Sequence, residues 1–169
     1  MKKVLFAFVA FALLCCNSFA QNNDNKAPEL EYVMELKVTC DAAFSCGKTS
    51  RGERVVIPIT GGTFEGPQIK GEVLSGGADY QYVDAEHGRN EVEAIYCIRT
   101  DDGVNIHIRN CGLIVTGKDA NGNPQFYFRT APKFDAPNDS KYNFLNNAIF
   151  VCTPGFGQGY ISLKIWKVK

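Results

Sequence analysis

The chain has no C-x-x-C pair, no H-E-x-x-H helix, no G-x-S-x-G elbow and only two histidines, His87 and His107. Structural zinc, zincin chemistry and α/β-hydrolase chemistry therefore lack their usual devices, and no metal or cofactor is expected. It also has no excess of positive charge: 18 basic residues balance 18 acidic ones, without a Lys/Arg cluster. Nucleic acid and anionic membrane surfaces call for a basic patch, so neither is expected as a partner. No apolar run reaches the roughly 20 residues needed to span a bilayer.

The longest apolar run is at the N-terminus. Lys2 and Lys3 precede the uncharged stretch Val4 to Leu14, and Ser18-Phe19-Ala20 follows. That order is a secretory signal peptide with cleavage after Ala20, so a periplasmic or secreted protein without stable membrane insertion is expected. Lipidation at Cys16 fits less well, because Cys15 stands where a small residue is wanted. Cleavage removes two lysines, leaving 16 basic against 18 acidic residues, a net charge of −2. Residues 21–29 form a polar leader, and residues 30–169 suffice for one domain.

Five cysteines then remain: Cys40, Cys46, Cys97, Cys111 and Cys152. Export makes them disulfide candidates, and the short spacing favours a Cys40–Cys46 bridge. The pairing of the other three stays open.

From Leu30 the hydrophobic period is two: Leu30, Tyr32, Met34, Leu36 and Val38 alternate with Glu31, Val33, Glu35, Lys37 and Thr39. Further strand-like runs follow over 54–60, 69–74, 79–84, 92–100, 104–110, 113–116, 125–130, 148–152 and 160–168. Asp101-Asp102-Gly103 reads as a hairpin turn, which makes turn chemistry the better account of that carboxylate pair. Residues 139–146 suggest one or two helical turns capped by Asp139 or Ser140. Nine or ten strands and almost no helix predict an all-β fold, a single closed or nearly closed antiparallel barrel.

Some polar residues interrupt this pattern. Glu65 follows Phe64 in the glycine-rich bend Gly61-Gly62-Thr63-Phe64-Glu65-Gly66, where it is either a general acid or base or a solvated loop carboxylate. Asp79 is either a turn residue or a partner for Arg129, a cation in the aromatic strand Phe126-Tyr127-Phe128. We expect Glu65, Asp79 and Arg129 to converge at one opening as catalytic residues. Tyr96 shares a face with Val92, Ala94, Ile98 and Thr100, and an interior position would let its hydroxyl orient a ligand. Phe64, His107 and Tyr142 complete the candidate ligand contacts; Tyr142 either caps the mouth or plugs an end.

The segment Ile57-Pro58-Ile59-Thr60-Gly61-Gly62-Thr63-Phe64-Glu65-Gly66-Pro67 is followed in order by Gly71-Glu72-Val73, Gly76-Gly77-Ala78-Asp79, Thr100-Asp101-Asp102-Gly103 and Arg129-Thr130-Ala131-Pro132. Together these pieces resemble the domain of unknown function 3237 family, from Leu30 to the C-terminus. The resemblance implies a small β-barrel with a central cavity. Some fungal members look like cyclases that add a hydroxyl across an alkene to close an ether ring, without metal or redox cofactor. This chain departs from the pattern in its cysteines, its export signal and His107, where relatives usually carry an aromatic residue.

Three readings follow. The barrel binds a small apolar or aromatic molecule in its lumen; or it is a cyclase or isomerase using a carboxylate with tyrosine or arginine; or side chains fill its interior and it binds nothing. Strand count cannot choose among them. An interior carboxylate with a shifted pKa favours the enzyme, and a roomy lumen with satisfied polar groups favours the binder. Oligomeric state is open.

Overall fold

The computed structural model describes residues 26–169; the expected signal peptide, with Cys15 and Cys16, lies outside the described residues. Ten strands follow in chain order: β1 (Leu30–Cys40), β2 (Phe44–Thr49), β3 (Gly52–Glu65), β4 (Lys70–Val73), β5 (Ala78–Asp84), β6 (Arg89–Thr100), β7 (Asn105–Lys118), β8 (Pro124–Asp135), β9 (Phe150–Phe156) and β10 (Ile161–Val168). All pairings among them are antiparallel, and β8 and β9 meet only at Thr130 and Cys152. The order β1-β10-β9-β8-β7-β6-β4-β3 closes on itself because β3 also pairs with β1. The result is a closed barrel of eight strands with two short extra ones. β2 carries the line of β1 along β3, and β4 and β5 share the gap between β3 and β6. Closure pairs most strands on both sides, and the β8–β9 seam is the weakest of the barrel.

Alternation sets the faces. On β6, Val92, Tyr96, Ile98 and Thr100 are buried; on β7, Ile106, Ile108 and Asn110 are buried. The two runs read as separate strands in the sequence, 104–110 and 113–116, are one continuous strand. Gly112 joins them, because the Thr130 side chain and the Arg129 carbonyl occupy the space a Cβ would need there. β2 carries no buried residue, which is why its apolar pattern does not announce it.

β3 contains a break in alternation. Ile57 and Ile59 face the interior, and so does Phe64, an odd number of residues later. The ladder with β1 shifts between Thr39 and Cys40, opposite Ile59 to Gly61. Gly61 and Gly62 adopt φ of 148° and 135° there. A Cβ on Gly62 would stand 2.0 Å from the Lys37 carbonyl oxygen, so glycine is required for β1 to pass this closely. The glycine-rich bend serves the neighbouring strand, not a ligand.

The interior is divided between two ends. Met34, Leu36, Phe64, Ile98, Ile106, Ile108, Leu145, Phe150 and Ile165 pack the end beside the β6–β7 turn. A single 3-10 turn, Asn143–Asn147, lies there, later than the helical stretch expected at 139–146. Neither proposed cap holds it. Tyr142 occupies the cap position, and Ser140 instead donates to the Pro137 carbonyl. The other end, beside the β9–β10 turn, is not filled.

Candidate functional site

A cavity of about 190 Å³ occupies the unfilled end. Its wall is mostly aliphatic and aromatic, from Val38, Ile57, Ile59, Val92 and Leu163 to Phe128 and Phe156 at the rim. Phe156 is 69 % exposed and packs with Phe126 and Phe128 at centroid distances of 6.3 and 6.4 Å, forming an aromatic lip. The polar groups on the wall are Asp79, Gln81, Tyr96, Asn110, Thr130 and Cys40.

Asp79 is fixed from two sides. The Gln81 amide donates to Oδ2 at 2.6 Å, and the Glu93 backbone N–H donates to Oδ1 at 3.1 Å. Burial pushes its carboxyl above the ordinary carboxylate range; those two bonds and the Arg54 charge pull the other way without cancelling it. Arg54 does not enter the cavity. Its guanidinium stacks on the outward rings of Tyr80 and Tyr82, at 5.4 and 4.4 Å.

Tyr96 is 3 % exposed and lines the same cavity. Burial, then the proximity of Cys152, Asp79 and Cys40, raises its phenol pKa far above normal, and none of these influences is a hydrogen bond. The phenol therefore stays protonated and its O–H is available as a donor. Asn110 and Thr130 are 3 % and 6 % exposed, and no protein group bonds Asn110 Oδ1 or Thr130 Oγ1. The Thr130 hydroxyl has the Cys152 sulfur nearby, where it tempers the burial that pushes that thiol up to about 11.

The expected convergence of Glu65, Asp79 and Arg129 does not occur. Asp79 pairs with Ile57 on β3, while Glu65 lies eight residues further along, opposite Lys70 and Glu35. At about 3.3 Å per residue that is roughly 26 Å along the strand. Glu65 is exposed, in a separate shallow groove with Tyr32, Glu35, Lys37 and Pro67. The break in alternation at Gly61 and Gly62 turned it outward. Arg129 is also exposed; it donates to the Phe128 carbonyl at 2.6 Å and lies 5.7 Å from the Tyr127 ring. It shares the outer face with Tyr127, so it has no buried charge to neutralise.

The other candidates divide similarly. Phe64 is buried in the packed end and touches the groove, not the cavity. His107 faces outward, 3.2 Å from Asp135. Tyr142 plugs the packed end: its hydroxyl donates to Asp102 at 2.8 Å, and Asp102 also accepts from Thr100 at 2.6 Å and pairs with Lys141 at 2.8 Å. Those donors, Lys141 foremost, hold the Asp102 carboxyl well below its usual range. Asp102 is thus more than a turn residue, a role its position before Gly103 concealed.

The Cys40–Cys46 bridge is not formed; all five described cysteines are free thiols. Cys40 pairs with Ile59, whereas Cys46 sits at the bulge opposite Arg54 and Val55. The chain runs on along β3 instead of looping back, which separates the two by about 13 Å along the ladder. A disulfide needs Cα atoms within about 7 Å.

Gln81, Asn110 and Thr130 were missed. Their signal was present, since Asn110 follows Ile106 and Ile108 at spacing two, and Gln81 follows Asp79. A polar residue on an otherwise apolar face of a barrel strand points at the lumen.

Fold and cavity together define a class, the closed β-barrels that keep one end open as a small, mostly apolar pocket with a few polar groups. The chain belongs to the family described as protein of unknown function (DUF3237), whose model matches residues 28–168. A UPF0311 protein of Clostridium acetobutylicum is 34% identical over 154 residues, 85% of this chain and 96% of the relative. The crystal structure of a protein with unknown function from that organism superposes with a TM-score of 0.74, covering 85% of this chain and 99% of that one. A hydroalkoxylation enzyme of Penicillium herquei is 26% identical over 148 residues, covering 84% of this chain and 85% of the relative. The crystal structure of an enzyme from the same fungus has a TM-score of 0.67, with 85% and 96% of the two chains covered.

Proposed function

We propose that this barrel binds a small, largely apolar organic molecule in the cavity and performs acid–base chemistry on it with Asp79. One observation carries the reading: a carboxylate of raised proton affinity stands in an apolar cavity whose wall residues Asn110 and Thr130 carry buried polar atoms without a protein partner. A structural barrel would have no use for such groups, because each costs free energy to bury. A desolvated carboxylate in a cleft is the usual setting of a general acid.

The relation to the Penicillium herquei enzyme supports a particular chemistry, the addition of a hydroxyl across an alkene. In its carboxylic form Asp79 gives a proton to one alkene carbon. The substrate hydroxyl oxygen forms a bond to the other carbon, and its proton passes to the Asp79 carboxylate. Substrate and product are isomers, and the acid is regenerated. Tyr96, a phenol held protonated, orients the reacting molecule by donation. The runner-up reading is a carrier that holds its ligand unchanged.

An ortho-prenyl phenol carries hydroxyl and alkene in one molecule. Incubation with the protein should yield its cyclic ether isomer, and Asp79→Asn should slow this by about 100-fold or more. Saturable binding with no isomerisation above background would leave the carrier reading. We also propose export, from the N-terminal pattern of Lys2, Lys3 and the apolar run. Protein recovered from its own host should begin at Gln21; a chain beginning at Met1 would refute that.

A further inference from the structure

We infer that Asn110, with Thr130 beside it, is the subsite that holds a hydroxyl of the ligand, a small phenol or alcohol, other than the one whose proton passes to Asp79. The inference rests on the cavity being the ligand site, as proposed above, and assigns the residues that read the ligand.

The barrel wall places Asp79, Ala94 and Asn110 in one row, since Asp79 pairs with Ala94 and Ala94 pairs with Asn110. Asp79 and Asn110 are therefore two strands apart, about 10 Å between backbones. Ala94 is the smallest side chain that could stand between them, and it leaves the space over the row open. Thr130 lies on the next strand, opposite Gly112, diagonally adjacent to Asn110. Gly112 has no side chain and leaves room for Thr130 to reach the interior.

The two ends of this row differ in what they lack. Asp79 already has two protein donors. Asn110 Oδ1 is an acceptor that no protein group bonds, and Thr130 Oγ1 also has no bonded partner, with the Cys152 sulfur nearby. An orphan amide oxygen buried in the wall of an apolar cavity calls for an O–H or N–H from a guest that the side chain can turn to meet. A hydroxyl suits the pair best: it donates to Asn110 and accepts from Thr130 with the same oxygen. Size limits the rest of the guest. An apolar cavity of ~150 Å³ takes up benzene, so about 190 Å³ encloses one ring with a short substituent. Anything larger extends past Phe156 at the lip.

Phenol and toluene are close in shape and differ at the group in question. Calorimetric titration of the mature chain should show phenol binding roughly tenfold more tightly than toluene. Asn110→Leu keeps the volume and should bring the two within about twofold, with toluene no weaker than in the parent. Asn110→Ala, which enlarges the cavity, should lose the same preference, so the result does not hang on one variant's folding. Asp79→Asn should keep it. A parent with no preference for phenol, or a preference that survives both Asn110 substitutions, overturns the assignment. If Asp79→Asn alone removes the preference, the hydroxyl sits on Asp79, and the assignment falls while the proposed function stands. If neither compound binds, both fall.

Discussion

Asp79 and Asn110 face one another along a single row of the barrel wall with only Ala94 between them. One is a carboxylate with one protein donor on each oxygen; the other has an amide oxygen that the protein leaves unbonded. This asymmetry gives the cavity a direction. The acid end can afford to exchange a proton because its geometry is held independently of any guest. The amide end becomes satisfied only when a guest arrives.

Asp79 makes the stability of the barrel depend on pH. Its carboxyl binds a proton more readily folded than unfolded, because burial disfavours the charge. The native state then holds more protons, and stability falls as pH rises from the ordinary carboxylate range, about 4, through the raised value. Asn is neutral throughout. Asp79→Asn should therefore gain on the parent as pH rises, and at pH 7 it should melt no lower. The check is a pair of melting curves at pH 3 and pH 7. A gap that does not move in favour of the variant, or moves against it, contradicts the burial of an ionised Asp79.

Cys40 lines the cavity and Cys46 does not. Both should be alkylated without prior reduction, Cys40 the more slowly, because partial burial and the charges of Asp79 and Asp41 raise its thiol pKa. Modification of Cys40 in a Cys46→Ser background should block phenol binding, and modification of Cys46 in a Cys40→Ser background should not. Peptide mapping with calorimetry reads both. A bridged pair in freshly purified protein would reject the separation described here.

Gly62→Ala should destabilise the fold by at least about 2 kcal/mol, since it meets both a positive φ and a backbone oxygen. Gly76→Ala also meets a positive φ, with nothing within 4 Å of the added atom, and should cost less. Denaturant midpoints compare the two directly. Equal losses would mean that close passage of β1 is not what Gly62 provides.

The barrel was legible in the sequence because hydrophobic alternation marks most of its strands directly. The grouping of Val92, Tyr96, Ile98 and Thr100 on one face of β6 was legible, while alternation alone left the interior place of that face conditional. What failed was the expectation that the glycine-rich bend of β3 marks a ligand site. Glu65 was expected at the site because it stands in a glycine-rich bend, but those glycines serve the passage of β1, and the bulge there leaves Glu65 outward. Arg129 was expected to be buried because its strand is aromatic, but it lies on the outer face with the exposed Tyr127, while Phe128 beside it turns to the cavity. The division into a packed and an open end was not legible, because it depends on the chain between β8 and β9 folding over one end with Tyr142 and Leu145. Asn110 was legible and overlooked: its strand reads Ile106, Ile108, Asn110 on a single face.

The central claim is that the cavity between Asp79 and Asn110 is where a ligand binds. The most direct test is a methyl-labelled NMR titration of the protein with para-cresol. Saturable shifts are expected at Ile57, Ile59, Val92 and Leu163, with Ile106, Ile108 and Ile165 of the packed end far less affected. No saturable shift at the cavity methyls, or shifts at Val33 and other methyls near the groove of Tyr32, Glu65 and Pro67 instead, would contradict the account.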